Sequence, residues 1–341
     1  MSTPCVSFLS VGDVFIDRNN PRDALRHYES LIRAADISFC NLEGPCSDLG
    51  TPTIGKLITI RMKPEVIEAL AEVQFNVAAF ANNHALDYGH DAFLDTQQRL
   101  AAHNVACIGG GHNLIEAHRA IILERKGIRI ACLAYAATLP WGYEATKNRP
   151  GIAPVHVRTH YEPWYQIMSE QPGMPAKVVN TINSDDLLSL KLDVRRAKES
   201  AQAVVVSFHW GVAYQPDPAP YQPELAYSAI DAGADLIIGH HTHILQGVEI
   251  YKGTPIFYGL SNFVFDFDEP RFGKETMLVA AYFGSDGLER IAIHPAIIPP
   301  RREPRPLAPE ERTSFLAHLR ALSADMKSKF SWDGDEIEIE L

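Results

Sequence analysis

The apolar residues of this chain fall in short runs, and each run stops at a small set of polar residues. Val6 to Val11 ends at Gly12-Asp13, and Ile37 to Cys40 runs into Asn41-Leu42-Glu43-Gly44. Val77 to Phe80 leads to Ala81-Asn82-Asn83-His84, and Ala203 to Phe208 leads to His209-Trp210-Gly211. Leu236 to Ile238 leads to Gly239-His240-His241-Thr242-His243. Runs of this length, bounded by Gly and polar residues, predict buried strands. Between them the spacing turns helical: Pro21 to Ala35 (Leu25, Leu31, Ile32), Pro64 to Phe75, Asp91 to His103 with Asp91 as N-cap, Asp186 to Ser200, and Pro223 to Ala232. Strands that alternate with helices in this way predict an α/β fold.

Other stretches read differently. Val105 to Ile108 predicts a short strand, and the Gly109-Gly110-Gly111 after it reads as a tight turn, because no P-loop Lys follows. Hairpins are expected around Arg125-Lys126-Gly127 and Lys252-Gly253-Thr254, and two more strands at 276–283 and 289–298. Thr138 to Asp185 is rich in Pro, Trp and Tyr and only weakly periodic, which suggests a lid or substrate-facing loop. Residues 299–309 form a Pro-rich linker in which Arg301-Arg302-Glu303-Pro304-Arg305 reads as solvated. A helix over 310–325 follows, and then an acidic end in which Ile alternates with Glu, an edge strand or a frayed tail. The expected organisation is one domain over 1–298 with a lid-like insertion at about 138–185, and a 299–341 segment packed on the same domain.

Composition narrows the function. Of 341 residues, 46% are hydrophobic and 21% charged, which is ordinary for a globular chain. The net charge of -11 argues against a nucleic-acid partner, which would need clustered Lys and Arg. No run reaches the ~18 apolar residues of a bilayer span, and the start of the chain lacks a signal-peptide pattern. Five scattered Cys without a C-x-x-C pair suit reduced thiols. A cytoplasmic protein with no membrane partner is therefore expected, with its oligomeric state left open.

The polar strand ends carry the candidate chemistry. Asp13, Asn41, Glu43, Asn83, His84, His209, His241 and His243 all fall where ligands gather in an α/β sheet, beyond the carboxyl ends of the strands. Two carboxylates, an amide oxygen and three imidazoles exceed one four-coordinate ion and suit two ions ~3.5–4 Å apart that share a hydroxide. Glu43 is the candidate bridge. Mixed oxygen and nitrogen ligation without sulfur fits Mn, Zn, Fe or Co and does not choose among them.

These residues also carry a family resemblance. The pieces Gly12-Asp13, Asn41-Leu42-Glu43, Asn82-Asn83-His84-Ala85-Leu86-Asp87-Tyr88-Gly89, His209-Trp210-Gly211, the His240–His243 run and Phe257-Tyr258-Gly259-Leu260-Ser261-Asn262-Phe263 resemble the CapA family (poly-γ-glutamate capsule synthesis, PGA_cap domain). That family is a branch of the calcineurin-like metallophosphoesterases. The resemblance implies a four-layer α-β-β-α sandwich of two mixed sheets, with Asp13, Glu43, Asn83, His209, His241 and His243 holding two divalent metal ions. It implies further that His84 protonates the leaving group or stabilises the transition state. The superfamily's D-x-H motif reads Asp13-Val14-Phe15 here, which removes one imidazole, so that either Asp17 or Asn41 replaces it or that ion binds weakly.

Asp87, three residues after His84, is placed to orient it. Lys56, Arg61 and Arg158, with His156, are candidates for a substrate carboxylate or phosphate, and Asn41 is a further candidate substrate contact. The expected activity is dinuclear metal-dependent hydrolysis of an amide bond, γ-glutamyl or peptide-like, in a small molecule or polymer. A phosphoesterase using the same site, or a non-catalytic component of poly-γ-glutamate synthesis or export, are the alternatives.

Overall fold

The computed structural model describes residues 5–267, 269–299 and 303–341. Strands with buried residues on both faces form the middle of two mixed sheets. In the larger, Val6–Phe15, Ile37–Leu42, Val77–Ala79 and Ala106–Ile108 run parallel. Glu275–Gly284, Gly287–Ile297, Glu336–Ile339 and Phe330–Asp333 extend it as antiparallel neighbours on the other side of Val6–Phe15. The short strand Asn262–Phe265 also pairs with Val6–Phe15, in parallel, and sets Asn262 opposite Asp13. The second sheet has parallel strands Ile128–Ala136, Ala203–His209, Leu236–His240 and Thr254–Phe257, each edge closed by an antiparallel hairpin partner.

The second sheet buries both faces because its side chains alternate between two cores. Ile130, Cys132 and Ala134 join Phe8, Phe39 and Leu42 of the larger sheet in one core. Ala131, Leu133 and Tyr135 join Leu190, Val194, Leu225 and Ala229 in the other. Those last residues come from helices Ser184–Ser200 and Tyr221–Ala232, the first capped by Asn183, whose side chain accepts from the amides of Asp185 and Asp186. Helices Glu29–Ala34, Glu65–Glu72 and Gly89–Ala102 supply Ile32, Ile67, Leu70, Phe93 and Leu100 to the core of the larger sheet. The chain is thus α/β with mixed sheets.

Several sequence expectations change. The helix expected over 21–35 is a 3-10 turn, Pro21–Leu25, and a separate helix, Glu29–Ala34, because the chain bends between them. Asp91 lies inside helix Gly89–Ala102, in its first turn, so it is an acid that favours the helix dipole and not the cap. Gly109 does turn, with φ +76, but Gly110–Gly111 form a short strand against Gly151–Ile152. The weakly periodic segment holds an exposed antiparallel hairpin, Val157–Glu162 with Lys177–Ile182. Glu303 and Arg305 do not lie free in a linker: Glu303 pairs with Arg18 and Arg26, and Arg305 with Glu311. Arg301 and Arg302 lie outside the described residues, as do Met1 to Pro4. The acidic end is the strand Glu336–Ile339, held between Phe330–Asp333 and Gly287–Ile297. Among the described residues no helix is long and apolar enough to cross a membrane.

Candidate metal centre

Glycine lets the sheets deliver their polar ends to one place. A Cβ on Gly12 would stand 2.1 Å from the Ser261 carbonyl oxygen, and one on Gly239 would stand 2.1 Å from that of Tyr258. Only glycine allows these backbones to pass so closely, and the residues after them are Asp13 and His240. Beyond Gly239 the chain leaves the strand with His241 at φ 91 and His243 at φ 57. Positive φ is uncommon for residues other than glycine and marks a backbone held by its surroundings. The amide of His241 donates to Asp13 Oδ2 at 3.1 Å, which is one such restraint.

Asp13, Glu43, His209 and His240 are at most 1% exposed, and His241 and His243 at most 9%. Glu43, His209 and His241 each place a ligand atom within 4.8 Å of the other two, so this buried group could hold a metal ion. His209 Nε2 donates to Asn83 Oδ1 at 2.8 Å and lies 3.4 Å from Glu43 Oε1. A carboxylate oxygen, an amide oxygen and an imidazole nitrogen thus converge, a donor set suited to a hard or borderline divalent cation. Glu43 Oε1, His209 Nδ1 and His241 Nδ1 are buried without a hydrogen-bond partner. Orphaned polar atoms at such depth are rare and call for an explanation; a bound cation satisfies Glu43 Oε1 and His241 Nδ1, so these residues fit one.

The Asp13 side is bonded within itself. Asp13 Oδ1 accepts from Asn41 Nδ2 at 2.9 Å and from His240 Nδ1 at 3.0 Å. His243 Nδ1 donates to Asn262 Oδ1 at 2.8 Å and lies 3.8 Å from Asp13 Oδ2. Phe265 and Phe272 pack against the His243 ring with centroids 5.0 and 4.9 Å away.

The electrostatics follow from burial. Burial pushes the His241 imidazole down to about 3 with the help of the His243 charge, and it pushes His209 well below its ordinary value. His243 and His84 are lowered for the same reason. These rings are therefore neutral at pH 7, the form that ligates a metal. Burial and then the Asp13 charge raise Glu43 well above the carboxylate range. Burial also works against the Asp13 carboxylate, but the bond from His240 and the charges of His240 and His243 outweigh it and lower Asp13.

Next to this group stands His84. Its Nδ1 lies 2.6 Å from Asp87 Oδ2 and 3.1 Å from Lys56 Nζ. Asp87 is fully buried and also accepts from Lys56, from the Tyr143 hydroxyl at 2.9 Å and from the Ile60 amide at 2.8 Å. Lys56 donates as well to the Asn83 carbonyl oxygen, so one side chain spans the backbone beside the centre and the carboxylate behind His84.

Comparison with known proteins agrees with these motifs. The family described as bacterial capsule synthesis protein PGA_cap matches residues 7–267. The chain belongs to this family. A Bacillus subtilis (strain 168) "PGA biosynthesis protein CapA" is 32% identical over 94% of this chain and 78% of its own length. A Bacillus anthracis "Capsule biosynthesis protein CapA" is 29% identical over 96% of this chain and 73% of its own. A "Probable polyglutamine synthesis accessory protein" of Mycobacterium tuberculosis (strain CDC 1551 / Oshkosh) is 29% identical over 69% of this chain and 57% of its own. Among solved structures, a hypothetical protein from Thermus thermophilus covers 86% of this chain and 100% of its own at 14% identity, with a TM-score of 0.48, too low to carry an argument.

In this PGA_cap chain the candidates of the sequence divide. Asp13, Glu43, Asn83, His209, His241 and His243 come together, with His84, Asp87 and Lys56 beside them. Asn41, the candidate substrate contact, is 1% exposed, and its amide donates to both Asp13 and Glu43. Arg61 stacks over the Tyr88 ring at 4.5 Å and is exposed. Arg158 and His156 lie exposed on and beside the hairpin, and among the described residues Arg158 has no bond to the centre. Asp17 is not the replacement for the missing D-x-H imidazole: it is exposed, and its backbone amide donates to Asp266. Phe15, at the D-x-H position, packs on Phe265 at 5.3 Å, and the imidazole on Asp13 comes instead from His240.

Sequence reasoning missed Asn262, Asn82 and Tyr143, and gave His240 no task. Asn82 donates to the Leu42 carbonyl at 2.8 Å and accepts from the His84 amide at 3.1 Å, locking the loop that carries Asn83 and His84. Asn262 stands in the motif Leu260-Ser261-Asn262-Phe263, at the start of the strand Asn262–Phe265, and no local signal places it beside Asp13.

Proposed function

We propose that this chain is a dinuclear metal-dependent hydrolase acting on an amide bond, γ-glutamyl or peptide-like, of a small molecule or polymer. The observation that carries the reading is the buried trio Glu43, His209 and His241, whose unpaired atoms fit a cation, with a hydrogen-bonded His84–Asp87 pair beside it. Asp13, Glu43, Asn83, His209, His241 and His243 would hold the two ions, of Mn, Zn, Fe or Co. Bound there, such ions supply Lewis-acid polarisation and a water made nucleophilic at neutral pH.

The chain's own residues do the rest. Asp87, fixed by Lys56, Tyr143 and the Ile60 amide, accepts a hydrogen bond from His84 Nδ1–H and thereby sets the ring's tautomer and orientation. The other nitrogen, Nε2, is then the one that hydrogen-bonds the departing group. Lys56 balances the Asp87 charge, so that His84 stays neutral until it accepts a proton. Two mixed sheets with helices packed outside support the four-layer metallophosphatase arrangement for this scaffold. The net charge of -11 supports a small-molecule or polymer partner over nucleic acid, and the reduced thiols fit a cytoplasmic setting.

A second reading has one observation in its favour. The similar Bacillus proteins are named for capsule or PGA biosynthesis and not for breakdown. A component of poly-γ-glutamate synthesis or export would keep the site for binding and turn nothing over. The test is to load purified protein with each metal in turn and assay γ-glutamyl amides and aryl phosphates in parallel. The hydrolase reading expects amide turnover that His84→Ala removes by at least about a hundredfold. Turnover of neither substrate with metal bound overturns it, and turnover of phosphates alone moves the chain to the phosphoesterases.

A further inference from the structure

A cavity of about 540 Å³ opens next to the centre, with Asn262, Phe265 and Phe272 in its lining. Asn262 bonds His243, and Phe265 and Phe272 pack on the His243 ring, so a molecule seated here is one side chain removed from the Asp13 side of the centre. The size and apolar walls suit a small ligand anchored by a few polar groups. Three charged side chains of the lining are already neutralised: Arg18 and Asp266 pair with each other, Arg18 also approaches Glu303, and Glu269 pairs with Arg271, which lies outside the lining. Two lining charges remain. Lys274 and Asp17 are exposed and have no salt bridge among the described residues. A cation and an anion without a partner among the described residues, in a cavity with an apolar wall, make a receptor for a group carrying both charges.

We propose that this cavity binds the zwitterionic α-carbon of an amino-acid head group, with Lys274 on the carboxylate and Asp17 on the ammonium. A two-carbon stem then leads along Phe265 and Phe272 toward the centre and delivers a γ-carbonyl. This rests on the amide-hydrolase reading and sharpens it: the substrate is the free amino end of a γ-linked unit, which, unlike an α-linked one, keeps both charges on one carbon. Phosphomonoesters without such a head have no use for the cavity.

The test is binding, measured by calorimetry on the full chain without turnover, using L-glutamine, N-acetyl-L-glutamine and L-glutamine α-amide as probes. In the wild type, L-glutamine binds about tenfold more tightly than either blocked probe, the size of one lost charge-assisted bond. Lys274→Met erases the preference over the α-amide and keeps that over the N-acetyl form, while Asp17→Asn does the reverse. This crossed pattern supports the head-group site even if no amide is ever cleaved. No binding of L-glutamine to the wild type, or equal binding of all probes by all variants, overturns it, and it falls alone if γ-glutamyl amides are hydrolysed without regard to their α-groups.

Discussion

On one side of the centre, Asp13 takes hydrogen bonds from Asn41, His240 and the His241 amide, and His243 is tied to Asn262. On the other, Glu43 Oε1, His209 Nδ1 and His241 Nδ1 are buried with no partner. Both sides hold carboxylates and imidazoles, at similar depth. The difference lies in how their desolvation is offset. Asp13 recovers it from within the fold, and the one orphan among its side-chain partners is His240 Nε2, on the ring edge away from the Asp13 bond. Glu43 recovers it only in part, through the Asn41 amide, and its carboxyl is raised well above the usual range by burial and by Asp13. A fold that keeps such a trio at 0 to 9% exposure carries a strain that a cation relieves.

Removing a carboxylate from each side separates the two most strongly. Asp13→Ala leaves the His240 imidazole, the Asn41 amide and the His241 N–H without their acceptor, and should cost about 3–5 kcal/mol of folding stability in urea unfolding. Glu43→Gln should cost the metal-free protein almost nothing. Equal losses would erase the distinction.

Acid comes next. Above pH 6.5 folded and unfolded chains bind equal protons at His241; as pH falls through 6.5 the unfolded chain protonates while the folded one resists until about 3, so stability falls. Glu43 works in the opposite sense, since its raised carboxyl takes up a proton in the fold first. The measurement therefore belongs in the Glu43→Gln background, where metal-free protein should lose about 2 kcal/mol or more between pH 7 and pH 5. A flat profile there would place the His241 ring in solvent. The smallest effect is expected at Asn262: Asn262→Ala unties His243 and should weaken binding of the ion on the Asp13 side about tenfold in chelator competition. No change would make His243 a packing residue.

Much of this was legible in the chain. The runs ending at Asp13, Glu43, Asn83, His209 and His240 are strands buried on both faces, so their hydrophobicity is unbroken and their ends are marked. What was illegible depends on register between distant segments. Asn262 faces Asp13 only because Asn262–Phe265 pairs in parallel with Val6–Phe15, and no local pattern encodes that. The direction of a side-chain amide is hidden for the same reason: Asn41 gives its NH2 to two carboxylates, a task that no local pattern shows. The hairpin at 157–182 escaped because both its strands are largely exposed, and so lack the alternation that marks a half-buried strand.

The most direct test is a calorimetric titration of metal-stripped protein with Zn and Mn, read alongside elemental analysis. The wild type should bind, Glu43→Gln should weaken the tighter site by more than about a hundredfold, and Asp13→Asn should keep that site. A wild type that takes up no transition metal under any loading condition, or a Glu43→Gln protein that binds as well as the wild type, would contradict a metal centre built on Glu43.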